Sequence, residues 1–390
     1  MMCQKGHEVN IYSPLEGEIA VFQKGYQRNN GLRLRFGPGA LADPNQLTQE
    51  EKAAIEITEG LQIHKISSDP AEVIPQADVV FIIVPAFAHQ NILLHIRPYL
   101  TENSILVVLA CRSGLEFQLR FLMPNAKVLG FQTLPWSARL TKNKMGEEVS
   151  ISARKNSIQA AAMPSDLPDE YFQLLEDLLD MRVERIQHLL TLSLANVGQI
   201  VHPGIMYSLF KDDPYREFNE SDVPLFYQGI DEEGAERLSA MSDEIIAIAK
   251  KVAECHPIVQ ADKVQHLSEW LQSSYGEMLA DNSSLHKMIT TNVAYDGLKA
   301  PYIKDETTGK CHVNLQARYL TEDIPYGLLV TKSIGMMFDG LDTPTIDEVL
   351  SGVSSWTGRD YLKEVEIFKS AANRIRVPYL YGCTGKEDLV

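Results

Sequence analysis

The chain has 390 residues, 45% apolar and 23% charged, with 36 basic against 52 acidic side chains and a net charge of −16. That length exceeds one ordinary core and implies two domains of a water-soluble globular protein. The acidic excess argues against nucleic acid or an anionic membrane as partner.

Taken in chain order, Lys5-Gly6-His7 has the pattern of a helix end with a glycine stop, and Glu8–Ser13 alternates as a strand. In a dinucleotide-binding domain this pattern leads out of the first helix into the second strand. The first strand and the G-x-G-x-x-G turn that cradles pyrophosphate have no counterpart before it. About 20 residues are therefore expected to be missing, with the chain starting at an internal methionine. Leu32–Phe36 and Leu61–Ile66 alternate as strands. Asp69-Pro70 opens a short helix, with Asp69 as its cap. Val79–Val84 and Ser104–Ala110 are continuous apolar runs of the kind buried on both faces of a parallel sheet. Helices are expected over Ala86–Leu100 and Leu115–Leu122, and a further strand over Lys127–Gln132. Glu148–Ala161 reads as a strand pair, Pro168–Leu179 as a helix and Arg182–Ile186 as a last strand. This alternation predicts a doubly wound parallel sheet of Rossmann type, in which ligands sit beyond the carboxyl ends of the strands. The rule points at Ser13, Pro85-Ala86, Ala110-Cys111 and Thr133.

From Leu189 the apolar spacing turns helical, in 189–202, 233–255, 262–280, 282–292, 343–350 and around 360–375. The expected domains are 1–188, dinucleotide-binding, and 189–390, helical and substrate-binding. The second opens on Ala195–Tyr207, centred on His202. Pro203 and Gly204 predict a sharp helix stop that holds the imidazole at the end of an element. The five cysteines are scattered and form no C-x-x-C pair. Cys255-His256 and Cys311-His312 are adjacent, and adjacent residues do not converge on one ion. No metal site is expected, and reduced thiols suit the cytoplasm. No apolar run reaches the ~18 residues of a membrane span, and no basic-then-apolar leader opens the chain.

Three phrases of the second half, Ala195–Tyr207, Thr291–Pro301 and Arg318–Gly327, together resemble the opine dehydrogenase family (octopine dehydrogenase-like). Val84–His89 and Phe131–Trp136 resemble that family's cofactor-side loops. The resemblance covers nearly the whole chain and fails only at the absent glycine-rich loop. It implies reductive condensation of an amino acid with a 2-oxo acid, usually pyruvate, using NAD(P)H. His202 would be the general acid/base, since an imidazole titrates near neutrality, and Asp323 the carboxylate that fixes its tautomer. Arg318 would clamp the substrate carboxylate bidentately. Thr133 would bond the amino acid, and Trp270 would wall its pocket. Pro85 and Ala86 would lie against the cofactor. Ser13, at the strand end that normally carries an acidic residue for the adenine ribose, leaves NAD against NADP open. A monomer is expected, and the amino-acid partner is not chosen by any residue. A hydroxy-acid or sugar-phosphate dehydrogenase is the alternative, as is a non-catalytic binding protein should the shortened N-terminus be genuine.

Overall fold

The computed structural model describes residues 2–37, 56–140, 145–155, 157–366 and 375–390. Contacts divide the chain into two compact units. Residues 1–84, 88–111 and 122–186 form the first; 85–87, 112–121 and 187–390 form the second. The second unit therefore borrows two short stretches from the first half of the sequence.

The first unit contains strands β1 (Asn10–Tyr12), β2 (Leu32–Gly37), β3 (Glu56–Leu61), β4 (Lys65–Ser67), β5 (Val79–Ile82), β6 (Ile105–Val108), β7 (Lys127–Phe131), β8 (Trp136–Leu140), β9 (Glu148–Arg154), β10 (Ser157–Met163) and β11 (Arg182–Ile186). Its main sheet runs β11-β10-β7-β6-β5, parallel except between β10 and β7. All four residues of β6 are buried, as its uninterrupted apolar run requires. β1 pairs with β4 in parallel, and a four-stranded sheet runs β3-β2-β9-β8. The chain order of helices begins with α1 (Glu16–Arg28), α2 (Pro70–Val73), α3 (Ala86–Ile96), α4 (Leu115–Leu122) and α5 (Asp169–Leu179). The Asp69 carboxylate accepts from Ala71 N at 2.9 Å, capping α2 as its sequence implies.

Two strand readings change. The run Leu61–Ile66 is not one strand: β3 ends at Leu61, just after Gly60 at φ +70°, Ile63 N donates to Tyr26 Oη at 2.8 Å, and β4 opens at Lys65 in a different sheet. Likewise β9 and β10 are not partners. Glu148 on β9 sits beside Arg33 and Arg35 of β2, at 3.5 and 3.6 Å, whereas the small residues of β10 lie flat against β7, Ala161 opposite Gly130. Each strand joins the neighbour that suits its side chains, and the chain changes sheet between them.

The second unit continues with α6 (Leu189–Leu194), α7 (Gly198–Phe210), α8 (Glu232–Cys255), α9 (Leu267–Tyr275), α10 (Leu285–Thr290), α11 (Arg318–Thr321), α12 (Leu329–Gly335) and α13 (Pro344–Thr357), with a small hairpin of Tyr302–Lys304 and Cys311–Val313. The helical pattern read around 360–375 is described only up to residue 366 and at 375; residues 367–374 lie outside the described residues. Along α8, Leu238, Met241, Ile245, Ile248 and Val252 recur at helical spacing and are essentially fully buried. Each such side chain contributes roughly 1.5–3 kcal/mol by leaving water. Asp231 caps this helix through Gly234 N at 2.8 Å. The stretch Leu189–Phe210 is long and apolar enough to cross a membrane by composition, a length the sequence reading did not credit, and it is mostly buried inside the unit.

The predicted helix stop at His202 is also overturned, because α7 runs straight through Pro203 to Phe210. Tertiary packing outweighs the lost backbone bond. Gly204 lets α8 approach so closely that an added Cβ would lie 2.3 Å from Leu238 Cδ2, and Ser208 Oγ donates to Gly204 O at 2.8 Å. His202 thus sits on the second turn of a rigid core helix rather than at a loose end.

Candidate active site

Two places in the second unit bring the chemistry together: the first turns of α7 and the junction that follows α11. After Thr321 the chain passes through Glu322 and Asp323 into a widened turn over Ile324–Leu328, where Tyr326 leaves helical geometry (φ −116°, ψ 22°), before α12 resumes. Widened turns of this kind re-aim side chains at functional sites. Gly327 lets the turn press onto α7, where a Cβ would meet Gln199 Cβ at 2.9 Å. Thr331 Oγ1 donates to Gln199 Oε1 at 2.6 Å, tying α12 to the same turn of α7.

His202 and Asp323, 121 residues apart in sequence, meet with Nδ1 2.8 Å from Oδ2. A carboxylate only accepts, so Nδ1 carries the proton and Nε2 is the ring nitrogen that Asp323 does not engage. The ring is stacked on Tyr319 (4.1 Å, 13°) and flanked by Phe226 (6.2 Å), while its side chain keeps 21% exposure. It is fixed in plane and still reachable.

The Glu322-Asp323 pair is no solvated acidic turn: both residues are 2% exposed. Buried carboxylates demand partners. Arg112, which sequence reasoning missed, supplies one. Its Nη1 lies 3.1 Å from Asp323 Oδ1 without hydrogen-bond alignment, its Nε lies 3.8 Å from Glu322 Oε1, and Nη1 also donates to Asn196 Oδ1 at 3.4 Å. Arg112 holds a left-handed backbone (φ +56°), a cost of about 1–3 kcal/mol that such sites accept. The sole local signal was the strand-end rule, which pointed at Ala110-Cys111, immediately before it. Gly198 makes the cluster possible, for a Cβ there would lie 3.0–3.2 Å from Arg112 Nη1, Asp323 Oδ1 and Asn196 Oδ1.

Arg318 opens α11, with its Nε bonded to Glu322 Oε2 and its side chain 61% exposed. The neighbouring carboxylate holds its guanidinium above its ordinary pKa. Ala86 N donates to Glu322 Oε1 at 3.0 Å, and Ala86 O accepts from the fully buried Arg376 at 2.8 Å. Both backbone groups of Ala86 are thus engaged within the second unit, beside a half-buried Pro85. Trp270 lies at the far end of an aromatic ladder. It meets Tyr275 edge-on (5.7 Å), Tyr275 meets Tyr295 (5.1 Å), and Tyr295 stacks on Tyr227 (3.8 Å). Phe226 (4.8 Å) and Tyr319 (4.7 Å) then carry the ladder to His202. Burial pushes the phenols of Tyr227 and Tyr295 far up, so they stay neutral.

Two expected site residues belong to the first unit. Thr133, just beyond β7, accepts from Lys155 Nζ at 3.1 Å. Ser13, just beyond β1, donates to Glu18 Oε2 at 3.0 Å. Hydroxyl and carboxylate groups at that strand end suit the hydroxyls of an adenine ribose. Among the described residues no G-x-G-x-x-G turn follows a strand.

Residues 185–357 match a family model described as NAD/NADP octopine/nopaline dehydrogenase, alpha-helical domain. The chain is 34% identical to an opine dehydrogenase of Haliotis discus hannai over 342 residues, 85% of this chain and 82% of that protein. A solved structure of octopine dehydrogenase with NADH and L-arginine superposes with a TM-score of 0.84 at 25% identity, covering 97% of this chain and 91% of that one. A structure of octopine dehydrogenase with NADH and pyruvate gives 0.79 at 25% identity, over 97% and 90%.

Proposed function

From the premise that the chain belongs to the opine dehydrogenase family, NAD-dependent oxidoreductases acting on CH–NH groups, we propose that it condenses an amino acid with pyruvate and reduces the resulting imine with NADH. The observation that carries this reading is the His202–Asp323 pair, 2.8 Å apart and set beside Arg112, Glu322 and Arg318.

The amine nitrogen attacks the ketone carbon of the oxo acid, and protonated His202 Nε2 gives its proton to the carbonyl oxygen. The now neutral Nε2 takes a proton from the ammonium nitrogen of the adduct and returns it to the hydroxyl, which leaves as water and gives the protonated imine. When bound, the nicotinamide would supply the hydride that adds to the imine carbon and leaves the nitrogen as a secondary amine. Asp323 stabilises the imidazolium through each transfer and holds the ring in the tautomer that keeps Nε2 free. Arg318 offers its terminal amino groups to the oxo-acid carboxylate. Ser13 and Glu18 would take the adenine ribose, favouring NADH over NADPH. The five cysteines are scattered through the sequence with no C-x-x-C pair, and we take the protein to work in a reducing compartment, the cytoplasm, as a monomer.

The test is NADH oxidation with pyruvate and a panel of amino acids. Turnover that requires an amine supports the proposal. Turnover of pyruvate alone would turn the reading towards a hydroxy-acid dehydrogenase.

A further inference from the structure

Glu322 has no part in the proton transfers, yet its carboxylate is the most heavily shared acceptor near His202. It is 2% exposed. Oε2 takes Arg318 Nε, Oε1 takes Ala86 N at 3.0 Å, and Arg112 Nε lies 3.8 Å from Oε1. Its two hydrogen-bond donors and the neighbouring Arg112 come from three separate stretches, around residues 86, 112 and 318. Arg318, by contrast, is 61% exposed and would otherwise sample many rotamers. A guanidinium gripped at Nε keeps both terminal amino groups, the edge that meets a carboxylate bidentately. The gripping carboxylate is itself fixed, since Ala86 holds its other oxygen and Ala86 is anchored from behind by Arg376.

We propose that Glu322 is a positioning residue that presets Arg318 for the carboxylate of the 2-oxo acid, lowering the ordering cost of substrate binding. This rests on the reading of Arg318 as the clamp. An exposed ion pair formed only for stability would not need a buried acceptor with a second, backbone donor.

The experiment is a double-mutant cycle on the full chain, using Glu322→Gln, Arg318→Ala and both together, with KM for pyruvate, KM for the amine and kcat measured for each. The amide keeps one acceptor oxygen and loses the charge. Ordering one long side chain is worth about a two- to tenfold change in affinity. Glu322→Gln is expected to raise the pyruvate KM by that factor, more than it changes the amine KM or lowers kcat. The effect disappears when Arg318 is already alanine. If Arg318→Ala leaves the pyruvate KM unchanged, the clamp reading falls and this proposal with it. If Arg318→Ala raises it, while Glu322→Gln does nothing or acts in full on the alanine background, the clamp stands and the positioning role is overturned. Should Glu322→Gln not fold, the wild-type protein supplies the answer by NMR. The Arg318 Nε–H resonance, identified by its loss in Arg318→Ala, is expected to exchange slowly at neutral pH, and fast exchange would overturn the proposal.

Discussion

Replacing Asp323 by asparagine probes the centre of the site with almost no change in shape. Opposite charges about 4 Å apart, at the effective dielectric of about 20 that suits partly buried pairs, attract by about 4 kcal/mol. The imidazolium and the Asp323 carboxylate are such a pair, with Nδ1 and Oδ2 2.8 Å apart. Arg112, 3.1 Å from the other oxygen, draws on the same charge and reduces the net effect. A loss of about 2–4 kcal/mol of transition-state stabilisation is expected, or about 30- to 1,000-fold in kcat. The amide also presents N–H to Nδ1 and so favours the tautomer that protonates Nε2. The fold is expected to survive, since Arg112 keeps Glu322 and Asn196 as neighbours. The assay is NADH oxidation at saturating pyruvate and amine, with a urea melt as control. A kcat within threefold of wild type in a normally folded variant would refute the reasoning, because the carboxylate would then not be supporting the imidazole.

Arg318→Ala is expected to raise the pyruvate KM about 10- to 100-fold, the worth of a charged hydrogen-bonded contact, with a smaller change for the amine; equal effects on both would argue against the clamp. Gly204→Val would drive a branched side chain into Leu238 of α8, where even a Cβ stands 2.3 Å from a methyl carbon. A loss of about 1–3 kcal/mol in urea denaturation is expected, and an unchanged midpoint would contradict the packing described. Burial, with smaller contributions from Arg120 and His256, lowers the pKa of His188 from 6.5 to about 4, and its Nδ1 accepts from Leu190 N at 3.2 Å. The folded pKa lies below the unfolded one, so this contribution is complete above pH 6.5 and is lost as pH falls towards 4, at most about 3 kcal/mol. Urea midpoints at neutral pH and near pH 5 are expected to differ less in His188→Gln than in wild type.

The legible parts of this molecule were those whose signal is local. The apolar run of β6 and the stripe of α8 announce burial within a few residues. The resemblance named His202 and Asp323, yet the physical ground first offered for His202, a proline-induced stop, was wrong. Whether Pro203 ends a helix depends on α8, which packs against Gly204 from some 30 residues further on. Glu322 was ambiguous for the same reason: an acidic pair before a turn is usually solvated, and only the approach of residues 86 and 112 buries it. Arg112 carried no pattern of its own. The sheet changes at β4 and β10 escaped notice because alternation fixes a strand's faces and not its neighbour.

Arg376 sets the order in which the protein can be built. Its side chain reaches the carbonyl of Ala86, and its N–H bonds Pro325 O at 3.3 Å, so one residue close to the end of the chain closes around two stretches made long before it. During synthesis the first sheet can form early, as domains do on the ribosome. The grip on Ala86, and with it the full setting of Glu322, must wait until Arg376 itself has left the exit tunnel. A nascent chain stalled short of residue 376 would hold a folded sheet, His202 and Asp323 with the grip on Ala86 still unmade.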